Sequence, residues 1–338
     1  MRSNIEDFLL LCENVDFGKN TLSEKERAFY QRLNNEMILL CRSLPESVQG
    51  NATLFLMQYS GVKFGDELDF FANYYPPIWS IVYWLTKDSF FPHKQLQDED
   101  LRSAVTAQSM AMFLHALDDH LTDNQVSVSL LTLLLRTEAW NSMNLALLNL
   151  SKGLPAGETT ISRFINDYYS SNQDSTELGS LDRYCDLVRK QGATLLITPI
   201  LLSMKMTGIS KFTSDIETAF GSFGVAWRLL DDLRDIREDV GTGAETSIYL
   251  CLPERLRTYW KSSVFGTGAT VESAQKAVLM YIFQHNIIGD IKKRIYAELE
   301  LAASIVEAHN LTGLGAEFRC LADPFRNCGS HLEEYHES

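Results

Sequence analysis

Asp231, Asp235 and Asp239 stand at four-residue intervals in the stretch Ala226-Trp-Arg-Leu-Leu-Asp-Asp-Leu-Arg-Asp-Ile-Arg-Glu-Asp239. On an α-helix, residues four apart are neighbours on one face. Carboxylates stacked in this way repel one another. No Lys or Arg shares the row, and Arg234 and Arg237 fall on other faces. A hard divalent cation, usually Mg²⁺, takes oxygen ligands and makes such a row tolerable; a solvated charged face is the plainer alternative. A second acidic cluster lies upstream, in Leu117-Asp118-Asp119-His120-Leu121-Thr122-Asp123. Acids near a helix C-terminus work against the helix dipole, so this cluster also asks for a counter-charge. Two acidic clusters on facing helices make a site for several Mg²⁺ ions and a diphosphate. Asp118, Asp119, Asp123, Asp231, Asp235 and Asp239 are the candidate metal ligands.

What precedes the second cluster adds to this expectation. Phe220, Phe223 and Trp227 lie eleven, eight and four residues before Asp231, on the same helical stripe. One face therefore runs from aromatic to acidic, as in a pocket with an apolar floor and a metal-lined mouth. Upstream, Met112, Phe113 and His115 precede Asp118. His115 reads as a core histidine, and His120 likewise, because the expected ligands are oxygens.

These residues need a helical framework, and the rest of the chain supplies one. The 338 residues are 45% hydrophobic and 22% charged, ordinary for a soluble globular protein. Period-2 runs are few. Helical patterns are expected over 5–12, 21–44, 71–86, 98–121, 125–150, 160–170, 181–206, 214–240, 253–261, 271–288 and 292–311, with 51–59 ambiguous and the tail from Glu317 less regular. A cap pattern, Thr21-Leu-Ser-Glu24, opens the second helix. Gly241-Thr-Gly-Ala-Glu-Thr-Ser247 reads as a mobile loop, with Gly241 and Gly243 giving it freedom to close over a ligand. No internal repeat or long linker divides the chain, so one all-α domain over 1–338 is expected, with its motif-bearing core at about 95–311.

The net charge of −14 and a pI near 5.0 argue against nucleic acid, whose phosphates need a basic footprint. They leave a diphosphate open, because bound Mg²⁺ reverses the local sign. The most apolar stretch, Ala193 to Met204, is too short to span a bilayer. Six cysteines without metal-type spacing and no visible secretory signal lead to the expectation of reduced thiols and a cytoplasmic location.

At these residues the chain resembles the class I isoprenoid synthases: terpene cyclases, squalene/phytoene synthases and prenyl chain-elongating synthases. Asp118-Asp-His-Leu-Thr-Asp123 resembles their aspartate-rich motif in a D-D-x-x-x-D form. Asp231-Asp-Leu-Arg-Asp-Ile-Arg-Glu-Asp239 resembles the terpene-cyclase metal triad, and Arg234-Asp-Ile-Arg-Glu-Asp239 also fits the squalene/phytoene pattern R-D-x-x-E-D. In Tyr184-Cys-Asp-Leu-Val-Arg-Lys-Gln-Gly192, the residues Tyr184, Cys185, Val188 and Gly192 agree with the squalene/phytoene pattern, while Arg189 and Lys190 replace its small pair. Terpene cyclases carry a diphosphate-sensing arginine at this point, which would be Arg189. The basic motifs that hold isopentenyl diphosphate in chain-elongating enzymes have no match at Gly61-Val-Lys-Phe64 or Asp123-Asn-Gln-Val126.

The resemblance implies a helical barrel, three Mg²⁺ ions and a C15 or C20 prenyl diphosphate as substrate. It implies ionisation to an allylic cation, with Asp118, Asp231 and Arg189 at the chemistry. Lys190, Arg189 and a tail arginine, Arg319 or Arg326, would bind the diphosphate. Phe220, Phe223 and Trp227 would line the hydrocarbon site and stabilise the cation. It points first to a terpene cyclase that releases diphosphate. Next come head-to-head coupling, chain elongation and a non-catalytic subunit of the same fold. A homodimer is the common assembly among such proteins.

Overall fold

The computed structural model describes residues 2–63, 65–87, 96–173, 178–208, 210–262 and 269–326. Within them the chain forms α1 (Arg2–Glu13), α2 (Glu24–Ser43), α3 (Glu46–Tyr59), α4 (Pro77–Thr86), α5 (Asp98–Thr122), α6 (Leu130–Ser151), α7 (Gly157–Gln173) and α8 (Leu181–Gln191). The second half adds α9 (Ala193–Thr207), α10 (Lys211–Arg234), α11 (Ile236–Thr242), α12 (Ser247–Leu250), α13 (Glu254–Ser262), α14 (Ala269–Gln284), α15 (Ile287–Ala308) and α16 (Thr312–Ala322). No strand occurs among the described residues, and the all-α expectation holds.

Several boundaries differ from the sequence expectation for local reasons. The second helix opens at Ser23, whose hydroxyl accepts from Glu26 N–H while Glu26 returns a bond to Ser23 N–H. That reciprocal box is centred two residues beyond Thr21. Residues 71–75 stay outside α4, because Pro77 occupies its first turn, where a missing N–H costs nothing. The expected helix over 181–206 divides at Gly192 into α8 and α9. From Glu317 to Phe325 the tail is regular, completing α16 and a short 3₁₀ turn at Asp323–Phe325, and residues 327–338 lie outside the described residues.

Helix α9 is the hub. Thirteen of its fifteen residues are buried, as expected of a helix that is apolar on every side. It packs against α4, α5, α6, α7, α8 and α10. Pro199 lies inside it and has no N–H to offer the carbonyl four residues back. That carbonyl, Leu195 O, instead accepts from the buried Gln108 side chain of α5 at 3.4 Å, and the same Nε2 donates to Ile78 O of α4 at 2.7 Å. One amide thus joins three helices at a place where the hub's own ladder is broken.

The hub also fixes helix directions. Asp100 of α5 pairs with Lys205 near the end of α9 at 2.8 Å, while Gln108 meets Leu195 near its start, so α5 and α9 run antiparallel. Ser203 of α9 bonds Thr213 at the start of α10 at 3.2 Å, so these two are antiparallel as well. Helices α5 and α10 therefore run in the same direction on the hub, and the acidic ends of both reach the same end of the barrel.

An N-terminal strap crosses the outside of the α10–α11 junction. Arg237 pairs with Glu6 at 3.0 Å and Glu13 at 2.6 Å, and Arg234 with Asp16 at 2.6 Å. Arg234 Nε also donates to Val15 O at 2.9 Å. Gly18 seats the strap on α16. Its N–H donates to Leu321 O at 3.2 Å, and a Cβ there would stand 1.9 Å from Cys320 O.

Replacing Gln108 by Ala should lower unfolding stability by roughly 1–3 kcal/mol, the cost of leaving buried carbonyls unpaired. Urea denaturation followed by circular dichroism checks this, and an unchanged midpoint would remove Gln108 as the joint between the helices.

Candidate active site

The second acidic cluster keeps its helical register through a helix break. Helix α10 ends at Arg234 and α11 begins at Ile236, yet Asp235 N–H still donates to Asp231 O at 2.9 Å and Asp239 N–H to Asp235 O at 2.8 Å. The row of Asp231, Asp235 and Asp239 thus remains on one face. Burial raises the Asp231 carboxyl from the ordinary 3.8 to about 7; Arg228 and Arg234 oppose the rise, and Asp235 and Asp232 add to it. Burial likewise takes Asp239 to about 7, with Asp232 and Asp235 adding to it. Asp235 is raised by burial and then by Glu238. Asp239 Oδ2 is buried with no hydrogen-bond partner.

Asp232, adjacent to the row, has a different task. It is 2% exposed and accepts from Tyr184 OH of α8 at 2.9 Å and from Ser247 N–H at 2.9 Å. Arg228 Nε lies 3.2 Å from its Oδ1 and donates to the Tyr184 oxygen at 2.9 Å. Asp232 thereby anchors the segment expected to be a mobile loop. Thr246 and Ser247 are buried, Gly243 sits at φ 74° as the left-handed cap of α11, and Trp260 Nε1 holds Ala244 O at 2.9 Å. The expectation of a free lid over 241–247 is corrected: one buried carboxylate and one indole pin it.

In the first cluster, Asp118 is already paired. Its carboxylate accepts Arg136 of α6 in two bonds, at 2.5 and 3.0 Å, and Tyr168 OH of α7 at 3.2 Å. Asp119 and Asp123 are exposed and have no ion pair among the described residues. Burial, then the charges of Asp119 and Asp118, raise the phenol of Tyr59 above its ordinary value. His115 stands with its ring centroid 6.3 Å from Trp227, one turn before each acidic cluster, so the two helices meet there. Burial lowers the His115 pKa against the pull of Asp119 and Asp118, which keeps the ring neutral at the expected core position.

The aromatic stripe divides. Trp227 is part-buried and meets Tyr74 and Tyr75 edge-on at 5.6 and 5.8 Å. Phe223 touches Trp227 at 6.2 Å but also packs against Phe318 at 5.6 Å and Phe17 at 6.5 Å, with Phe220 beside it at 5.9 Å. Phe223 thus fills the seam between α10, the strap and α16.

Of the basic residues put forward from the sequence, Arg189, Arg319 and Arg326 are paired with acids and Lys190 is exposed. Arg189 pairs with Asp186 at 2.8 Å and Glu298 of α15 at 3.3 Å. Its side chain lies over Gly221 of α10, ten residues before Asp231 and so about 15 Å down the helix at 1.5 Å per residue. Lys190 is exposed. Arg319 is held by Glu300 and Glu307, and Arg326 by Asp323. Two arginines act on the acidic row: Arg234, 4.0 Å from Asp231, and Arg228. Arg228 shares the row's own face. It lies three, seven and eleven residues before Asp231, Asp235 and Asp239, a spacing that keeps it on their face. The four-residue row read from the sequence passed over it by one position.

Among the described residues, no three acidic, thiol or imidazole side chains converge closely enough to hold a metal ion as they stand. The donor chemistry nevertheless suits Mg²⁺. The row offers only hard carboxylate oxygens, its members repel one another, and Asp239 carries an unpaired buried oxygen.

The fold matches solved polyprenyl synthase structures. Heptaprenyl diphosphate synthase from Staphylococcus aureus superposes with a TM-score of 0.64 at 10% identity, over 90% of this chain and 99% of that one. Geranylgeranyl pyrophosphate synthetase from Pyrococcus horikoshii Ot3 gives 0.60 at 11% identity, over 96% and 99%. The geranylgeranyl enzyme of the archaeon Geoglobus acetivorans gives 0.59 at 14%, over 87% and 99%. No protein-family model and no curated protein sequence matches the chain. The chain thus has the all-α fold of the class I isoprenoid synthases.

The raised carboxyls give a pH dependence whose sign is definite. Asp231 and Asp239 titrate near 7 when folded and near 4 when unfolded, so the unfolded chain releases their protons first. Metal-free stability should fall as pH rises from 4 through 7 and level off above. Asp239→Asn should lessen that fall and raise the metal-free melting midpoint at pH 8 by about 1–3 °C. Scanning calorimetry at pH 5 and 8 checks this; a wild-type midpoint that rises with pH over this range would refute the assignment.

Proposed function

We propose that this protein is a Mg²⁺-dependent enzyme that ionises an allylic prenyl diphosphate, and that it passes the resulting cation to isopentenyl diphosphate as a chain-elongating prenyltransferase. The observation that carries the reading is that α5 and α10 run parallel and each ends in an acidic cluster, with His115 and Trp227 meeting at 6.3 Å one turn below them. The similar solved structures are prenyl diphosphate synthases by name, which supports elongation over the cyclase reading that the motifs first suggest.

Asp231, Asp235 and Asp239, with Asp119 and Asp123 across the barrel end, would hold the Mg²⁺ ions. When bound, the ions neutralise the charge that builds on the departing diphosphate. Asp118 serves differently, tying α5 to α6 through Arg136. Trp227, with Tyr74 and Tyr75, turns aromatic surface toward the first turn below the acids. Such faces stabilise a cation by about 0.5–2 kcal/mol each. Phe220 and Phe223 support Trp227 from behind and close the wall to water, which would otherwise quench the cation.

Cyclisation of the same substrate is the second reading, and a specific observation favours it. Elongation needs a second, basic diphosphate site. Arg136, Arg189, Arg234 and Arg319 are each paired with acids, and the segment around Lys63 carries no basic pair.

Purified protein with Mg²⁺ and C10, C15 or C20 allylic diphosphate, with and without isopentenyl diphosphate, separates the readings by mass spectrometry of the products. Elongation predicts products longer by five carbons, formed only with isopentenyl diphosphate. Products of unchanged carbon number formed without it would transfer the assignment to cyclisation. Asp231→Asn with Asp235→Asn should lower either activity by about 10²-fold or more. Diphosphate release from none of the substrates would overturn both readings.

A further inference from the structure

We propose that Arg228 is the residue that grips the substrate's diphosphate, and that Tyr184 and Asp232 are positioning residues that aim it; this rests on the prenyl-diphosphate reading above. The resemblance placed that role on Arg189, which the structure seats over Gly221 and locks to Glu298 and Asp186. Arg228 instead stands on the acidic face itself, one turn before Asp231.

The geometry of its guanidinium sets the role. Nε faces inward, donating to Tyr184 OH at 2.9 Å and lying 3.2 Å from Asp232 Oδ1. Neither Nη makes a hydrogen bond among the described residues, and about half of the side-chain surface, 49%, is open. The inner edge of the fork is therefore fixed and its outer edge is free. A planar guanidinium anchored in this way presents paired N–H donors to two oxygens of a phosphate group. Asp232 cannot turn away, because Tyr184 OH and Ser247 N–H hold the same carboxylate.

The charges around it define the ligand. Arg228 faces Asp231, Asp235 and Asp239, and its field lowers the pKa of all three against their burial. An anion approaching Arg228 alone would meet this acidic row. An anion that arrives with divalent cations would satisfy both, its oxygens shared between the cations on the carboxylates and the free Nη groups. A magnesium-complexed diphosphate has that composition; a monoanionic carboxylate does not. Without ligand, Arg228 supplies counter-charge to all three acids of the row, and Arg234, 4.0 Å from Asp231, adds to it.

Isothermal titration of inorganic pyrophosphate in saturating Mg²⁺, on the full chain, tests the assignment without turnover. Wild type should bind. Arg228→Gln should weaken binding at least tenfold. Arg228→Lys, which keeps the charge and loses the fork, should fall between them. Tyr184→Phe, which frees the guanidinium while leaving its charge, should weaken binding a few-fold, measured below its own melting midpoint, which falls because Asp232 loses a donor. If Arg228→Gln fails to fold, Arg228→Lys and Tyr184→Phe carry the comparison. Wild-type affinity in Arg228→Lys and Tyr184→Phe together, or in a folded Arg228→Gln, would overturn the role of Arg228 and leave the prenyl-diphosphate reading standing. A wild type that binds no pyrophosphate would overturn that reading as well.

Discussion

The structure depends on how a helix can carry carboxylates on one face. Asp231, Asp232, Asp235 and Asp239 crowd the junction of α10 and α11, and burial makes their charges costlier still. Two features contain the crowding. Asp232 is buried and its carboxylate is held by Tyr184 OH, Arg228 and Ser247 N–H. The other three remain with raised pKa values and one unpaired oxygen. A site of this kind gives up stability in its free state and recovers it when cations bind, since a ligand that binds only the folded form stabilises it.

Much of the surrounding architecture keeps this face in place. The strap formed by α1 and residues 14–18 engages Arg234 and Arg237, and Arg234 reaches the row only at its edge, 4.0 Å from Asp231. The pinned segment after α11 hangs from Asp232 through Ser247. The hub α9 sets α5 parallel to α10, and the Gln108 amide repairs the hub where Pro199 interrupts it. Because α5 and α10 are aligned, His115 and Trp227 meet one turn below the two clusters.

The helical class and both acidic clusters were legible in the sequence because each rests on local spacing. A period near 3.6 marks a helix wherever it occurs, and a four-residue row of Asp is visible without tertiary knowledge. The division of roles within the clusters was not legible. Asp118 and Asp119 are adjacent and chemically identical, and only the placement of Arg136 on α6 commits the first to an ion pair. Arg189 and Arg228 are both arginines on helices near the motif. Which one reaches the acids depends on how α8 docks along α10, a long-range contact that spacing does not encode. Phe223 shares the face of Trp227, yet the strap and α16 cover it and leave Trp227 part-open. The loop over 241–247 has the glycine content of a lid, and a buried carboxylate fifteen residues away in sequence holds it.

The most direct test of the central claim is a crystal structure with Mg²⁺ and a non-ionisable thiolo analogue of an allylic diphosphate. The account predicts metal ions between the Asp231–Asp239 row and Asp119 or Asp123, and the diphosphate against the free edge of Arg228. The hydrocarbon chain should run past Trp227 toward the hub. A diphosphate bound away from α10, or an acidic row with no metal at saturating Mg²⁺ and analogue, would contradict it.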